Sequence, residues 1–149
     1  MLCQIQLAIP ADAHAISEVV IGALRESNAR DYSPEVIARV EQSFCPTSVL
    51  KLMGQRRMYV ALIEGQVVGT ASLDQAVVRT VFVSPHYQGQ GIGQQLMAHV
   101  KTVAIQNQVD ALLVPSSVTA QSFYAKLGFC KVRDECHGDE RTIIMALRL

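Results

Sequence analysis

A mixed, mostly antiparallel central sheet of about seven strands with helices on both faces, an α/β (α+β) fold, is what the sequence predicts. Three observations carry that expectation. The hydrophobic period switches between strand and helix in the order β-α-α-βββ-α-β-α-β-β, the central three strands follow one another through short polar turns, and the last of them runs through a glycine-rich turn into a helix. The 149 residues, half of them hydrophobic, are expected to form a single domain over residues 1–149. A chain of this length buries roughly 70% of its unfolded surface, so it needs neither disulfides nor a structural metal.

Residues 1–10 alternate (Leu2, Gln4, Ile5, Gln6, Leu7) and predict a first strand ending near Ile9. Pro10 and Asp12 open a helical pattern in which Ile16, Val19, Val20, Ala23 and Leu24 recur three and four residues apart, giving a helix to about Arg25. Residues 26–32 are polar and break the period. Ser33-Pro34-Glu35 then combines a hydroxyl N-cap, Pro at the first helical position and an acid in the first turn, with Val36, Ile37 and Val40 as the apolar stripe. Cys45-Pro46 interrupts, and another short segment runs to Leu52.

From Met58 the period is that of strands: residues 58–63, a Glu64-Gly65 turn, residues 66–73, an Asp74-Gln75 turn, and residues 77–83, an antiparallel meander. Residues 91–106 are helical, with Ile92, Leu96, Val100 and Val103 on one face. Residues 111–114 read as a short buried strand, 118–127 as a helix stopped by Gly128, and 129–133 and 142–147 as two final strands. Ile143, Ile144, Met145 and Leu147 fit either an edge strand that pairs with a second copy or a strand buried within the monomer, so monomer and homodimer both stay open.

Thirteen Lys plus Arg balance 13 Asp plus Glu, a formal net charge of zero. No global basic field is available to draw the chain onto nucleic acid or an anionic membrane, so neither is an expected partner. No apolar run approaches the roughly 18 residues needed to span a bilayer, and the N-terminal stretch has no basic region or small-residue cleavage site; a cytoplasmic protein is expected. Cys3, Cys45, Cys130 and Cys136 are scattered without a C-x-x-C pair and read as thiols in a reducing compartment. Cys136-His137 beside Asp139 and Glu140 lacks ligands elsewhere at metal spacing, and no metal is predicted. His86 reads as a loop residue and His99 as the edge of a helix stripe.

The most informative segment runs Val81-Phe82-Val83-Ser84-Pro85-His86-Tyr87-Gln88-Gly89-Gln90-Gly91-Ile92-Gly93-Gln94. It joins a buried strand to a helix N-terminus through glycines at alternate positions. Glycine admits φ > 0 and close approach of a ligand, and the unpaired N–H groups of a first helical turn attract an anion such as a pyrophosphate. The dipole alone contributes about 0.3–1 kcal/mol per charge, so direct amide hydrogen bonds must supply most of the affinity. A P-loop would need G-x-x-x-x-G-K-[ST], and no Lys follows Gly93; a dinucleotide fingerprint would need a third glycine where Gln94 stands. Phosphoryl transfer and NAD binding are thereby disfavoured.

Gln88-Gly89-Gln90-Gly91-Ile92-Gly93 resembles the Q/R-x-x-G-x-G/A signature of the GNAT superfamily of N-acetyltransferases. Ala120-Gln121-Ser122-Phe123-Tyr124-Ala125-Lys126-Leu127-Gly128-Phe129 resembles the A-x-x-F-Y-x-x-x-G-F segment of the same family, and the order of elements is similar to the GNAT order. The resemblance covers most of the chain and is sharpest from Val81 to Phe129. It implies acetyl-CoA as co-substrate and a small-molecule or peptide amine as acceptor. It implies that Phe82 and Val83 offer backbone groups to the pantetheine arm, that the amides of Gln88, Gly89, Gln90, Gly91, Ile92 and Gly93, with Gln94, hold the pyrophosphate, and that the fourth and fifth strands splay apart to admit the cofactor. Pro115 fits such a splay because it has no N–H to donate. Ser117 stands where the family often has an Asn touching the cofactor arm.

Tyr124 matches the family's frequent general acid, and a phenol is chemically suited to protonate a departing thiolate. The implied reaction is direct attack of an uncharged amine on the thioester, with a backbone amide such as that of Val83 stabilising the oxyanion. The strand before the signature carries Arg79-Thr80 where many members carry an acid, so the base is unassigned, with Glu26, Asp31 and Glu35 as candidates. Arg79 is either an outward strand residue or a partner for a substrate carboxylate or phosphate. Tyr32 and Phe44, on the segment that usually shapes acceptor choice in the family, are either acceptor-pocket residues or helix packing. A non-catalytic acyl-CoA-binding module is the alternative function.

Overall fold

The computed structural model describes residues 3–149, so Leu2 of the N-terminal alternation lies outside the described residues. Its strands are β1 (Gln4–Leu7), β2 (Arg57–Ile63), β3 (Gln66–Asp74), β4 (Val77–Val83), β5 (Ala111–Ser117), β6 (Cys130–His137) and β7 (Glu140–Arg148). The helices are α1 (Ala13–Glu26), α2 (Pro34–Gln42), α3 (Pro46–Gln55), α4 (Ile92–Gln106) and α5 (Gln121–Lys126). They follow the predicted order, with a third helix formed by the short segment after Cys45-Pro46. Ser33 caps α2 as its position implied, its Oγ accepting from the Val36 amide at 3.3 Å.

One seven-stranded sheet in the order β1-β2-β3-β4-β5-β7-β6 organises the chain. Every neighbouring pair is antiparallel except β4 and β5. Alternation along the strands separates two cores. Tyr59, Ala61 and Ile63 of β2 join α4 and α5 on one face, whereas Met58 and Val60 join α1, Ile37 of α2 and Val49 of α3 on the other. β7 is interior, between β5 and β6, and Ile143 and Met145 are buried within this fold; the edge strands are β1 and β6.

Several element ends differ from the expectation. β5 continues through Pro115 to Ser117, since β7 pairs with it along that whole length (Pro115↔Ile144, Ser117↔Thr142). α5 begins at Gln121, because the Ser117 hydroxyl accepts from the Ala120 amide at 3.1 Å and turns residues 118–120 before the helix. The last two strands extend to a tight hairpin, His137↔Glu140, made possible by Gly138 at φ +65°.

The feature that positions the site is the failure of β4 and β5 to stay paired. Their register consists of Val77↔Leu113, where the Leu113 amide donates to the Ala76 carbonyl at 2.9 Å. Backbone groups alternate along a strand, so the next donor on that edge of β5 would be residue 115, and Pro115 has none. On the other side of the gap, β4 carries a bulge opposite Ala71, with Thr80 at φ +55°. The two strands therefore diverge toward their C-terminal ends, as the predicted splay required.

Candidate active site

A cavity of about 620 Å³ fills the gap between β4 and β5. Ile92 and Gly93 of α4 with Phe123 and Tyr124 of α5 line it from one face of the sheet, and Val40 and Phe44, with Arg56 at the end of α3, line it from the other. It thus passes through the sheet, and reactants can enter from opposite faces and meet at the gap.

At the glycine end, Gly91 is the N-cap of α4 in the left-handed region at φ +80°, and Gly89 is at φ +78°. The first amide with an acceptor inside the chain is that of Gln95, which donates to the Gly91 carbonyl at 3.1 Å. The preceding amides, from Gly89 to Gln94, have no acceptor in the described chain, and a Cβ added at Gly89 would meet open space. Such a row of unpaired donors at the positive end of a fifteen-residue helix fits a pyrophosphate. Gly93 is required for another reason, because a Cβ there would sit 3.1 Å from the Phe123 ring.

The Gln88 side chain turns inward, donating from Nε2 to the Val83 carbonyl at 3.2 Å and to Ser27 Oγ at 3.1 Å. Val83 needs that donor because its peptide groups face the gap: the Ser84 amide donates to the Val68 carbonyl at 2.8 Å, so the Val83 groups point the other way, toward the missing β5 pairing. The Val83 N–H is left open to the cavity. Phe82 differs from the expectation, since its register with Thr70 turns its backbone toward β3. It presents its ring to the cavity instead, in an edge-to-face contact with Phe44 at 6.0 Å between centroids.

Tyr124, not Phe123, takes the core position, with 4% of its surface exposed and its ring edge-on to Phe123 and Phe129. Among the described residues no fully buried side-chain polar atom lacks a hydrogen-bond partner, and the phenol has none within the chain, so its oxygen reaches the cavity. Burial pushes its pKa well above the usual phenol value, which keeps the hydroxyl protonated. Ser117 lines the cavity, with its Oγ held by the Ala120 amide.

Phe44 and Arg79 line the cavity; Tyr32 does not. Its hydroxyl accepts from the Val118 amide at 2.7 Å and donates to the Arg141 carbonyl at 2.8 Å, tying the loop before α2 to the loop before α5 and to β7. That bridge is structural and corrects the pocket reading. Of the three carboxylates considered as bases, none lines the cavity, and Asp31 accepts from Thr119 Oγ1 at 2.7 Å. The carboxylate that does line it, alone among the described residues, is Glu140 at the start of β7. It was missed because the period of the last strand becomes apolar only beyond Thr142, which left Glu140 in a loop. Arg56 was missed as well: it follows α3 and carries no motif, yet its Nη1 donates to Thr80 Oγ1 at the bulge at 3.2 Å. No group of three or more potential metal ligands occurs among the described residues, and no described helix is long and apolar enough to cross a membrane.

The sheet, its strand order and the sequence of elements are those that the resemblance to the GNAT superfamily implied. Residues 28–147 match the family model described as acetyltransferase (GNAT) domain, and the chain belongs to the GNAT acetyltransferase family. It is 28% identical over 141 residues to the uncharacterized N-acetyltransferase YafP of Escherichia coli, covering 91% of this chain and 88% of that protein. Its fold matches a GCN5-related N-acetyltransferase structure from Rhodopseudomonas palustris with a TM-score of 0.92 at 21% identity, over 100% of this chain and 99% of that one. It also matches the PaiA N-acetyltransferase of Thermoplasma acidophilum, solved in complex with coenzyme A, with a TM-score of 0.84 at 16% identity over the full length of both chains.

Proposed function

We propose that this acetyltransferase moves an acetyl group from acetyl-CoA to a primary amine by direct attack, the two substrates entering the gap from opposite faces of the sheet. The single observation that carries this reading is the gap itself, with the unpaired amides of residues 89–94 on one side and the Tyr124 oxygen within it. In this reading the amides of Gly89 to Gln94 hold the pyrophosphate. The Val83 N–H receives the charge that builds on the acetyl oxygen, and Tyr124 protonates the departing sulfur.

Glu140 takes the remaining role. An ammonium has no lone pair, so the acceptor must lose a proton before it attacks, and Glu140 is the cavity carboxylate positioned to receive it directly or through water. Its Oε1 lies 3.9 Å from Arg39 Nη2.

The test is release of free coenzyme A thiol from acetyl-CoA in the presence of a panel of primary amines. Transfer to at least one amine is expected, with a larger thermal shift from coenzyme A than from ATP. Tight coenzyme A binding without transfer to any amine would favour a binding module, and preference for ATP would sink the reading. Glu140→Gln is expected to lower kcat/KM about 100-fold near neutral pH, with much of the loss recovered as the pH approaches the acceptor's own pKa. A loss equal at every pH would remove Glu140 from proton transfer.

A further inference from the structure

Arg56 is a half-buried guanidinium that lines the cavity and has no carboxylate within salt-bridge distance among the described residues. Burial and the nearby Arg79 charge both hold its pKa below the usual arginine value, with Asp74 opposing them. Beside Arg56 two cations therefore meet one adjacent acid, Asp74, whose Oδ2 is engaged at 3.5 Å by Arg79 Nε, while the cavity carboxylate Glu140 belongs to β7 and makes no salt bridge with either arginine. A desolvated cation beside a second cation is unfavourable unless an anion arrives. In a chain of zero net charge this local excess is not a by-product of a basic surface.

The location makes the excess meaningful. Val78 and Val83 pack toward the α4 face, while Phe82 packs toward the α1–α3 face. Arg79, next to Val78 in the strand, alternates onto the α1–α3 face, the side from which the acceptor enters. Arg56 reaches the same place from the end of α3. Its contact with Thr80 uses one of five N–H donors and fixes the plane of the guanidinium, leaving an edge for a two-point contact with a carboxylate. Glu140 stands on the same face in β7, where it shares the alternation of Thr142 and Ile144. Cation and anion are thus both present in the acceptor half, matching a substrate with one charge of each sign.

We infer that the acceptor is a primary amine carrying a carboxylate, with Arg56, assisted by Arg79, holding the carboxylate while the amine faces the gap. This rests on the acetyltransferase reading above and adds the substrate class to it. The strand rises about 3.3 Å per residue, and with the bulge at Thr80 the stretch from Thr80 to Val83 matches only two steps of β3, so the anion site lies roughly 7 Å from the Val83 amide, less the reach of the arginines. A spacer of several bonds between amine and carboxylate follows.

The experiment compares ω-amino acids of increasing chain length with n-alkylamines of the same length as acceptors, using the same acetyl-CoA assay. The amino acids are expected to have kcat/KM higher by about 10- to 100-fold at the best length, and Arg56→Met is expected to erase that preference through KM while leaving transfer to the alkylamines within a few-fold. Arg56→Lys should restore part of the preference, because it keeps the charge and loses the fork. The thermal midpoint and coenzyme A affinity of each variant are measured alongside, so that a collapse of the Thr80 bulge is recognised as a general loss. Equal use of amino acids and alkylamines, or an amino acid preference that survives Arg56→Met, would overturn the inference while leaving the acetyltransferase reading intact. Absence of transfer to either series would count against the underlying reading itself.

Discussion

Tyr124→Phe is expected to lower kcat for acetyl transfer about 100-fold or more while leaving the KM for acetyl-CoA and the thermal midpoint nearly unchanged. The ring is what the core uses: it is edge-on to Phe123 and Phe129 and almost wholly buried, and Phe preserves all of that. The hydroxyl has no partner in the chain, so its removal strands no buried donor or acceptor. The proton lost by the variant is the one the departing sulfur would take. Because burial raises the phenol's pKa, Tyr124 stays protonated throughout the neutral range and contributes no titration to the activity profile there. The same shift has a stability consequence of defined sign. Above a pH of about 10 the unfolded chain releases this proton before the folded one does, so the folded state loses stability as the pH climbs beyond that point. Steady-state kinetics of the variant against pH check the expectation, and an unchanged kcat would leave Tyr124 a core residue only.

Gly91→Val is the second large effect, and Gly65→Val is its control. Both glycines adopt nearly the same left-handed conformation, φ +80° and +77°, and neither has a close neighbour in the way of a Cβ. A β-branched residue forced to positive φ costs about 1–2 kcal/mol or more, and both variants are expected to lose that much stability in urea denaturation. Only Gly91 caps α4 and aims the amides that follow it. Relief of the strain would rotate those N–H groups away from their common focus. Coenzyme A affinity, measured by calorimetry, is therefore expected to fall about 10-fold or more in Gly91→Val and to hold in Gly65→Val. Equal affinities in the two variants would remove the glycine turn from the cofactor site.

The comparison of these two glycines also shows what a sequence can carry. Spacing identified the turn at residues 88–94 and separated it from a P-loop and a dinucleotide fingerprint, because the requirements of a tight turn and a helix start are met within a few consecutive residues. The same holds for the Ser33 cap of α2 and for the meander turns. Tyr32 shows the limit. Its place on a variable helical segment suggested a pocket wall, but its hydroxyl is taken by groups 86 and 109 residues away. Phe123 and Tyr124 exchanged expected places for a similar reason, since both lie on a six-residue helix whose short stripe does not specify which ring turns inward.

By itself the sequence determined the order of elements, the glycine turn and the family, all of which rest on local period and adjacent residues. Only the tertiary structure decided which side chains share the acceptor half of the cavity. Glu140 comes there because β7 inserts between β5 and β6, and Arg56 because the end of α3 falls against the Thr80 bulge. Neither placement has a local signature. Each follows from pairings between segments far apart in the chain, and those become definite only when β4 and β5, held together at Val77 and Leu113, part around the gap.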